Sequence, residues 1–246
     1  MLEAFSIVIL KTICRCLNKI VCCKLTLHIS CIIVSGWPLH SCALGCRKVP
    51  EQARKIVRIT KVYKKRRRMA FYNIIWMDLE MTGLDIEKDH ILEIACIITD
   101  KTLRIISEEL NIVIHQPDII LRNMNEWCME HHKISGLVDD CRSSTISLKE
   151  AELKVLKFLE KYVPKGKCPL AGNTIYMDRL FLYKYMPLVH EYLHFRIIDV
   201  SSVKELYRRW DPSIHAAAPT KKLKHRALDD IKESIDELAH YKKHMK

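Results

Sequence analysis

Apolar and polar positions in residues 70–246 follow two periods. Residues 74–77 (IIWM), Ile91–Thr99 (ILEIACIIT), 110–114 (LNIVI), 169–172 (PLAG) and Ile197–Asp199 (IID) are short apolar or β-branched runs, which read as strands. Helical spacing takes over elsewhere. Ser147 followed by Glu150 is a capping box that opens a helix, with Leu153, Leu156 and Leu159 as its predicted inner face, Val155 and Tyr162 beside it, and Pro164 and Gly166 after it. A second helical stretch runs through 178–182 and is expected to stop near Pro187. Ser202 and Glu205 form another capping box, with Val203, Leu206, Tyr207 and Trp210 as its stripe. A loop with Pro212 and Pro219 leads to Lys224-His225 and a last helix, whose stripe is Leu228, Ile231, Ile235 and Leu238. A mixed-polarity segment, 124–132, predicts a short helix carrying Trp127. Three strands in succession suggest an antiparallel meander. Strands alternating with helices then make the fold class α/β, a mixed sheet flanked by helices.

Charge separates this body from what precedes it. The chain of 246 residues carries a formal charge of +12, a value that would ordinarily suggest a nucleic-acid or membrane partner. Residues 1–70 hold 15 Lys and Arg against only Glu3 and Glu51, whereas the remainder holds 26 basic and 27 acidic residues. A balanced body argues against wrapping long duplex, because such affinity grows with the number of phosphates neutralised. Cysteine divides likewise: seven of eleven precede residue 50, and Cys96, Cys128, Cys141 and Cys168 are scattered without a CxxC pair. Scattered thiols among apolar neighbours read as core residues of a reducing compartment, and no Cys/His quartet has zinc spacing. Residues 1–69 form a non-conforming leader: a basic, acid-poor amphipathic start, an uncharged stretch over 25–46, and the cluster Lys64-Lys65-Arg66-Arg67-Arg68 before Met69. The expectation is a mitochondrial presequence. The alternative is a non-essential extension, with a cytoplasmic or nuclear enzyme translated from Met69. Gly36, Pro38 and two histidines make 25–46 a poor membrane span, and no stable membrane association is expected of the body.

The chemistry enters at the end of the first strand, Ile74-Ile75-Trp76-Met77-Asp78-Leu79-Glu80. Residues two apart on a strand share a face, so Asp78 and Glu80 sit side by side. Two close anions repel, and a hard divalent cation between them would explain the pair; a solvated strand end would carry the same letters. Asp178 and Asp230, each near a helix start, and His225 just before the last helix, have ordinary capping or surface explanations when taken singly.

Taken together they resemble the oligoribonucleases, within the 3′→5′ exonucleases that use three Asp, one Glu and one His. The resemblance runs from about residue 72 onward, through WMDLEMTGLD (76–85), SGL (135–137), PLAGN (169–173), DRLFLYKYMP (178–187), IIDVSSVKEL (197–206) and HRALDDI (225–231). It implies a ribonuclease H-like exonuclease domain over 70–246. It further implies Asp78, Glu80, Asp178 and Asp230 as ligands of two Mg²⁺ or Mn²⁺ ions, with His225 as general base. By the same resemblance Leu84 and Trp127 would stack on bases, and His132, Thr174, Arg196 and Ser201 would meet phosphate. Phe195 stands where the family usually has Tyr, and Thr174 where it has Ser; stacking and a hydroxyl oxygen survive the two departures. The implied partners are short single-stranded RNA oligonucleotides and a second copy of the chain. The implied reaction is hydrolysis of very short RNA, down to dinucleotides, to nucleoside 5′-monophosphates. The nearest alternative is a proofreading or repair exonuclease with the same five residues acting on longer DNA or RNA ends. A more distant one is a binding module that holds RNA ends without cutting.

Overall fold

The computed structural model describes Val57, residues 70–222 and residues 225–245; that one residue aside, the expected leader lies outside them. Five strands form one mixed sheet: β1 Ile74–Met81, β2 Ile91–Thr99, β3 Leu110–Val113, β4 Leu170–Gly172 and β5 Ile197–Asp199. The order across the sheet is β3-β2-β1-β4-β5. β1, β2 and β3 make the expected antiparallel meander, while β4 and β5 join parallel on the other side of β1. β2 is buried at every position, which is why it reads as a continuous apolar run rather than an alternating one.

The helices among the described residues are α1 Asp118–Arg122, α2 Glu126–Ile134, α3 Leu137–Ser143, α4 Leu148–Tyr162, α5 Ile175–Tyr185, α6 Pro187–Tyr192, α7 Val200–Trp210, α8 Pro212–Ala216 and α9 Ala227–Lys242. The two faces of the sheet carry different cores. Ile75, Met77 and Leu79 pack with Val155 and Leu159 of α4 and with Phe181 and Leu182 of α5. Ile74, Trp76, Ala95 and Ile97 pack with Val200 of α7 and with Ala227, Ile231 and Ile235 of α9. A third cluster seats α1, α2 and α3 on Leu92 through Leu121, Cys128, Leu137 and Cys141. Trp76 is wholly buried, and its indole N–H donates to Thr99 Oγ1 at 2.9 Å, so no polar atom is stranded with it. Cys96, Cys128, Cys141 and Cys168 are buried free thiols, as their apolar neighbours predict.

Several local expectations need correction. Leu153 is 49% exposed, and α4 buries Ala151, Val155, Phe158 and Leu159 instead. At 100° per residue Leu153 lies about 200° from Val155, so the two cannot share a buried face. Ser202 does not cap its helix. Asp199 ends β5 and caps α7 directly, its side chain accepting from Ser201 N, which leaves no loop for a later start. Along α7, Leu206 and Trp210 are exposed although they fall at core spacing. Pro187 opens α6 as well as following α5, and Pro212 opens α8, the position where a missing N–H costs least. Among the described residues no helix is long and apolar enough to cross a membrane.

Candidate active site

Even-numbered residues of β1 face α9. Asp78 and Glu80 therefore continue the row begun by Ile74 and Trp76, and α9 brings Asp230 over them in its first turn. One carboxylate oxygen from each of Asp78, Glu80 and Asp230 lies within 4.8 Å of the others. Burial is the main cause of the perturbed acidity here, and mutual repulsion adds to it. Asp78 is held well above the usual carboxylate range by burial and by Asp178, Glu80 and Asp230. Glu80 is raised to about 8 by burial, then by Asp230 and Glu93. Asp230 is raised to about 6 by burial and Glu233, with Lys221 opposing.

Asp178 reaches the same region from the other layer. β4 ends at Gly172, where a Cβ would lie 2.9 Å from the Met77 carbonyl oxygen; glycine lets the chain pass this close to β1 before α5 begins. Asp178, in the first turn of α5, is buried and accepts a hydrogen bond from Leu79 N at 2.8 Å. Burial raises its carboxyl to about 7, restrained by backbone hydrogen bonds. Asp78, Glu80 and Asp230, each with raised proton affinity and an oxygen to offer, fit a hard divalent cation, which would supply the positive charge they lack; Asp178 stands outside that 4.8 Å group but acts on Asp78 through its charge.

A wall of rings is built on α2, whose His132 lies 3.9 Å from Glu80. Asn125 caps α2 by accepting from Cys128 N, and Trp127 in the first turn is 55% exposed. Trp127 stacks on His131 at 4.0 Å between ring centroids, and His225 meets both edge-on, at 5.3 Å and 4.8 Å. His225 adopts φ +52°, left-handed for a residue with a side chain. Burial, then His131, lowers its pKa below the ordinary imidazole value. His132 is buried; its Nε2 lies 2.9 Å from Met81 O, and its Nδ1 lies 3.9 Å from Glu80 Oε2 without a hydrogen-bond partner. Burial lowers the His132 pKa as well, which favours the neutral ring with its proton on Nε2.

The remaining predicted contacts are two pairs and one isolated residue. Thr174 (φ +54°) donates its N–H to Asp199 Oδ1 at 3.1 Å and to Ser201 Oγ at 3.0 Å, and its hydroxyl lies 3.1 Å from that of Ser201. The Arg196 guanidinium lies over the Phe195 ring at 4.9 Å, and Phe195 is 73% exposed. Arg179, next to Asp178, donates to His194 O at 2.7 Å and so ties that segment to α5. Leu84 is 66% exposed, just past Gly83.

Sequence reasoning missed the polar layer beneath these groups. Glu93 is fully buried and pairs with Arg226 at 2.8 Å. Glu237, also buried, pairs with Lys204 at 3.2 Å and Lys221 at 3.1 Å, and Asn173 Nδ2 donates to Ser234 Oγ and to Glu237. A carboxylate inside ILEIACIIT was the available signal for the first. Glu237 had none, because it occupies an ordinary helix position in the sequence.

The sequence profile of the RNase_T exonuclease family matches residues 75–238. The chain is 59% identical over 170 residues to the probable oligoribonuclease of Drosophila melanogaster, covering 69% of this chain and 81% of that protein. It is 55% identical over 169 residues to the mitochondrial oligoribonuclease of Homo sapiens, covering 69% and 71%. To the oligoribonuclease of Pasteurella multocida it is 51% identical over 172 residues, covering 70% and 93%. Among solved structures it is similar to E. coli Exonuclease I in complex with a dA16 oligonucleotide, with a TM-score of 0.55 and 17% identity. That likeness covers 70% of this chain but 41% of the other, and it concerns the fold.

Proposed function

The chain belongs to the oligoribonuclease family of exonucleases, and from that premise we propose that it degrades very short single-stranded RNA, down to dinucleotides, to nucleoside 5′-monophosphates. It is a 3′→5′ exoribonuclease that uses divalent metal. The observation that carries the metal-dependent hydrolysis is the convergence of Asp78, Glu80 and Asp230 from β1 and α9 within 4.8 Å.

Asp78, Glu80 and Asp230 would hold divalent metal, two Mg²⁺ or Mn²⁺ ions in this reading, with Asp178 completing the donor set. Such ions supply charge relief at the phosphodiester and acidify the attacking water. His225 takes the proton from that water and passes it to solvent, a role suited to an imidazole that stays neutral near neutral pH. Trp127 and Leu84, both exposed apolar groups, give bases a stacking surface that tolerates any sequence. The hydroxyls of Thr174 and Ser201, with Arg196, receive phosphate, and Phe195 stacks on the remaining base; His132, whose Nε2 faces Met81 O, joins them only with Nδ1 protonated. The nearly neutral body suits a ligand with few phosphates. Leu206 and Trp210 on α7, one turn apart and exposed, support a second copy of the chain as partner in a homodimer. The names of the human, bovine and mouse relatives support a mitochondrial location.

The test is cleavage of 5′-labelled RNAs of graded length by the full chain, with Mn²⁺ or with EDTA, beside Asp78→Ala. Metal-dependent loss of the shortest species, absent in the variant, is expected. Equal or faster cutting of the longest species would replace the short-RNA assignment with a long-chain exonuclease.

A further inference from the structure

Glu93 lies opposite Glu80 in the β1–β2 register, so its side chain shares the face that carries the catalytic carboxylates. It does not join their cluster. Its Oε2 accepts from Ala227 N at 3.0 Å, and its Oε1 accepts from Arg226 Nη2 at 2.8 Å and from Asn111 Nδ2 at 2.9 Å. Arg226 Nε lies 3.3 Å from both oxygens. A wholly buried carboxylate is tolerated only with its lone pairs satisfied, and here donors from β3 and from the start of α9 satisfy them. Arg226 is the N-cap residue of α9 and its own side chain makes no capping bond. Glu93 caps that helix from the neighbouring strand, placing negative charge at its N-terminus.

The guanidinium also faces the other way. Arg226 Nη1 pairs with Asp140 Oδ2 at 3.0 Å and donates to Ser135 O at 3.4 Å. One side chain therefore bridges β2, the start of α9 and the α2–α3 junction, whose helix α2 carries Trp127, His131 and His132. His225 sits immediately before this bridge in a left-handed conformation that an L-residue does not adopt without restraint. The two residues that follow it are the ones tied to Glu93.

We propose that Glu93 and Arg226 are positioning residues for hydrolysis, fixing the backbone at 225–227 so that His225 stays against the Trp127–His131 wall and in register with Asp230. The inference rests on His225 being the general base. It assigns the brace to activation of water, and neither to RNA affinity nor to cation affinity.

The experiment uses the full chain as wild type, Arg226→Gln, Arg226→Lys, His225→Ala and the His225→Ala/Arg226→Gln double variant. kcat and KM are measured on a labelled RNA dinucleotide with Mn²⁺, Mn²⁺ affinity by calorimetry without RNA, and folding by thermal unfolding. Arg226→Gln is expected to lower kcat by about 10²-fold, the loss that follows a misplacement of about 1 Å, with KM and Mn²⁺ affinity unchanged. Arg226→Lys should fall between, because one ammonium cannot span both sides of the bridge. The double variant should be no slower than His225→Ala, since the brace acts through that residue. A multiplied loss in the double variant would overturn the brace and leave the base assignment standing. So would Mn²⁺ affinity falling in step with kcat. A fully active His225→Ala would overturn the base assignment itself and, with it, this inference. Glu93→Gln, which keeps the shape and removes the charge, should repeat the Arg226→Gln pattern in whatever fraction folds.

Discussion

Removing the charge of Glu80 should stabilise the cation-free protein while abolishing its activity. Its side chain is 12% exposed, so water screens it little. Burial, Asp230 and Glu93 raise its carboxyl from 4.5 to about 8. The neighbouring His132 offers no compensating charge, because burial lowers its own pKa. A carboxyl whose folded value lies above its unfolded one favours folding as the acid, so that contribution is complete below about pH 4.5 and is lost as pH rises through 8. At about 1.36 kcal/mol per unit, the loss is on the order of 3 kcal/mol by pH 7 and about 5 kcal/mol across the window. Glu80→Gln removes it. In EDTA at pH 7 the variant should be more stable by about 3 kcal/mol, a rise in Tm of roughly 6–12 °C for a body of this size. Its stability should also vary less between pH 5 and 8.5 than that of the wild type. Saturating Mg²⁺ should reverse the order: a roughly thousandfold excess over Kd adds about 4.1 kcal/mol to the chain that binds it, more than the advantage of the variant. Thermal unfolding in EDTA and in Mg²⁺ at several pH values reads all of this. A Gln variant no more stable than wild type in EDTA at pH 7 would refute the claim that repulsion and burial strain this cluster.

Three further outcomes follow from the same geometry. Trp127→Ala should raise KM for dinucleotides by about tenfold, the low to middle range for one lost base stack, without lowering Tm, because the ring is 55% exposed. The acid limb of the kcat/KM profile should lie below the ordinary imidazole value of 6.5, since burial disfavours charged His225; His131→Ala removes the second cause of the lowering and should move the limb upward. Phe195→Tyr should lower KM by about fivefold if the hydroxyl finds a partner, the value of one hydrogen bond, and an unchanged KM would show that the exposed ring alone is sufficient.

What the sequence revealed, and what it hid, follows from the range of the forces involved. Asp78 and Glu80 were legible as a pair because strand alternation is a local property, and their row does face α9. Glu150 and Ser147 were legible as a cap for the same reason. Ser202 failed because Asp199, three residues earlier, emerges from β5 already aimed at the helix start. Leu206 and Trp210 have core spacing on an exposed face, and periodicity cannot distinguish a surface awaiting a partner from a buried one. The left-handed backbone at Thr174 and His225 was invisible. Neither is glycine or asparagine, and the bonds that hold them come from residues 25 or more positions away.

Those two residues precede the helices that carry Asp178 and Asp230, and their surroundings are restrained in the same way. Thr174 N donates to Asp199, and Ala227 N, two residues beyond His225, donates to Glu93. In each case a carboxylate outside the Asp78–Glu80–Asp230 cluster holds an N–H where the chain enters a helix, α5 in one case and α9 in the other. Those helices carry Asp178 and Asp230 in their first turns. The fold thus divides its acids by task. One set points oxygen at a shared centre, where repulsion favours a cation, and the other fixes the backbone from which the first set projects. Loss of charge in the second set should leave the cation's donors intact but free Thr174 and His225 from the backbone conformation that aims them. Asp199→Asn should therefore lower kcat while Mn²⁺ still binds, whereas Asp78→Asn should lose both; equal loss of Mn²⁺ binding in the two variants would erase the distinction.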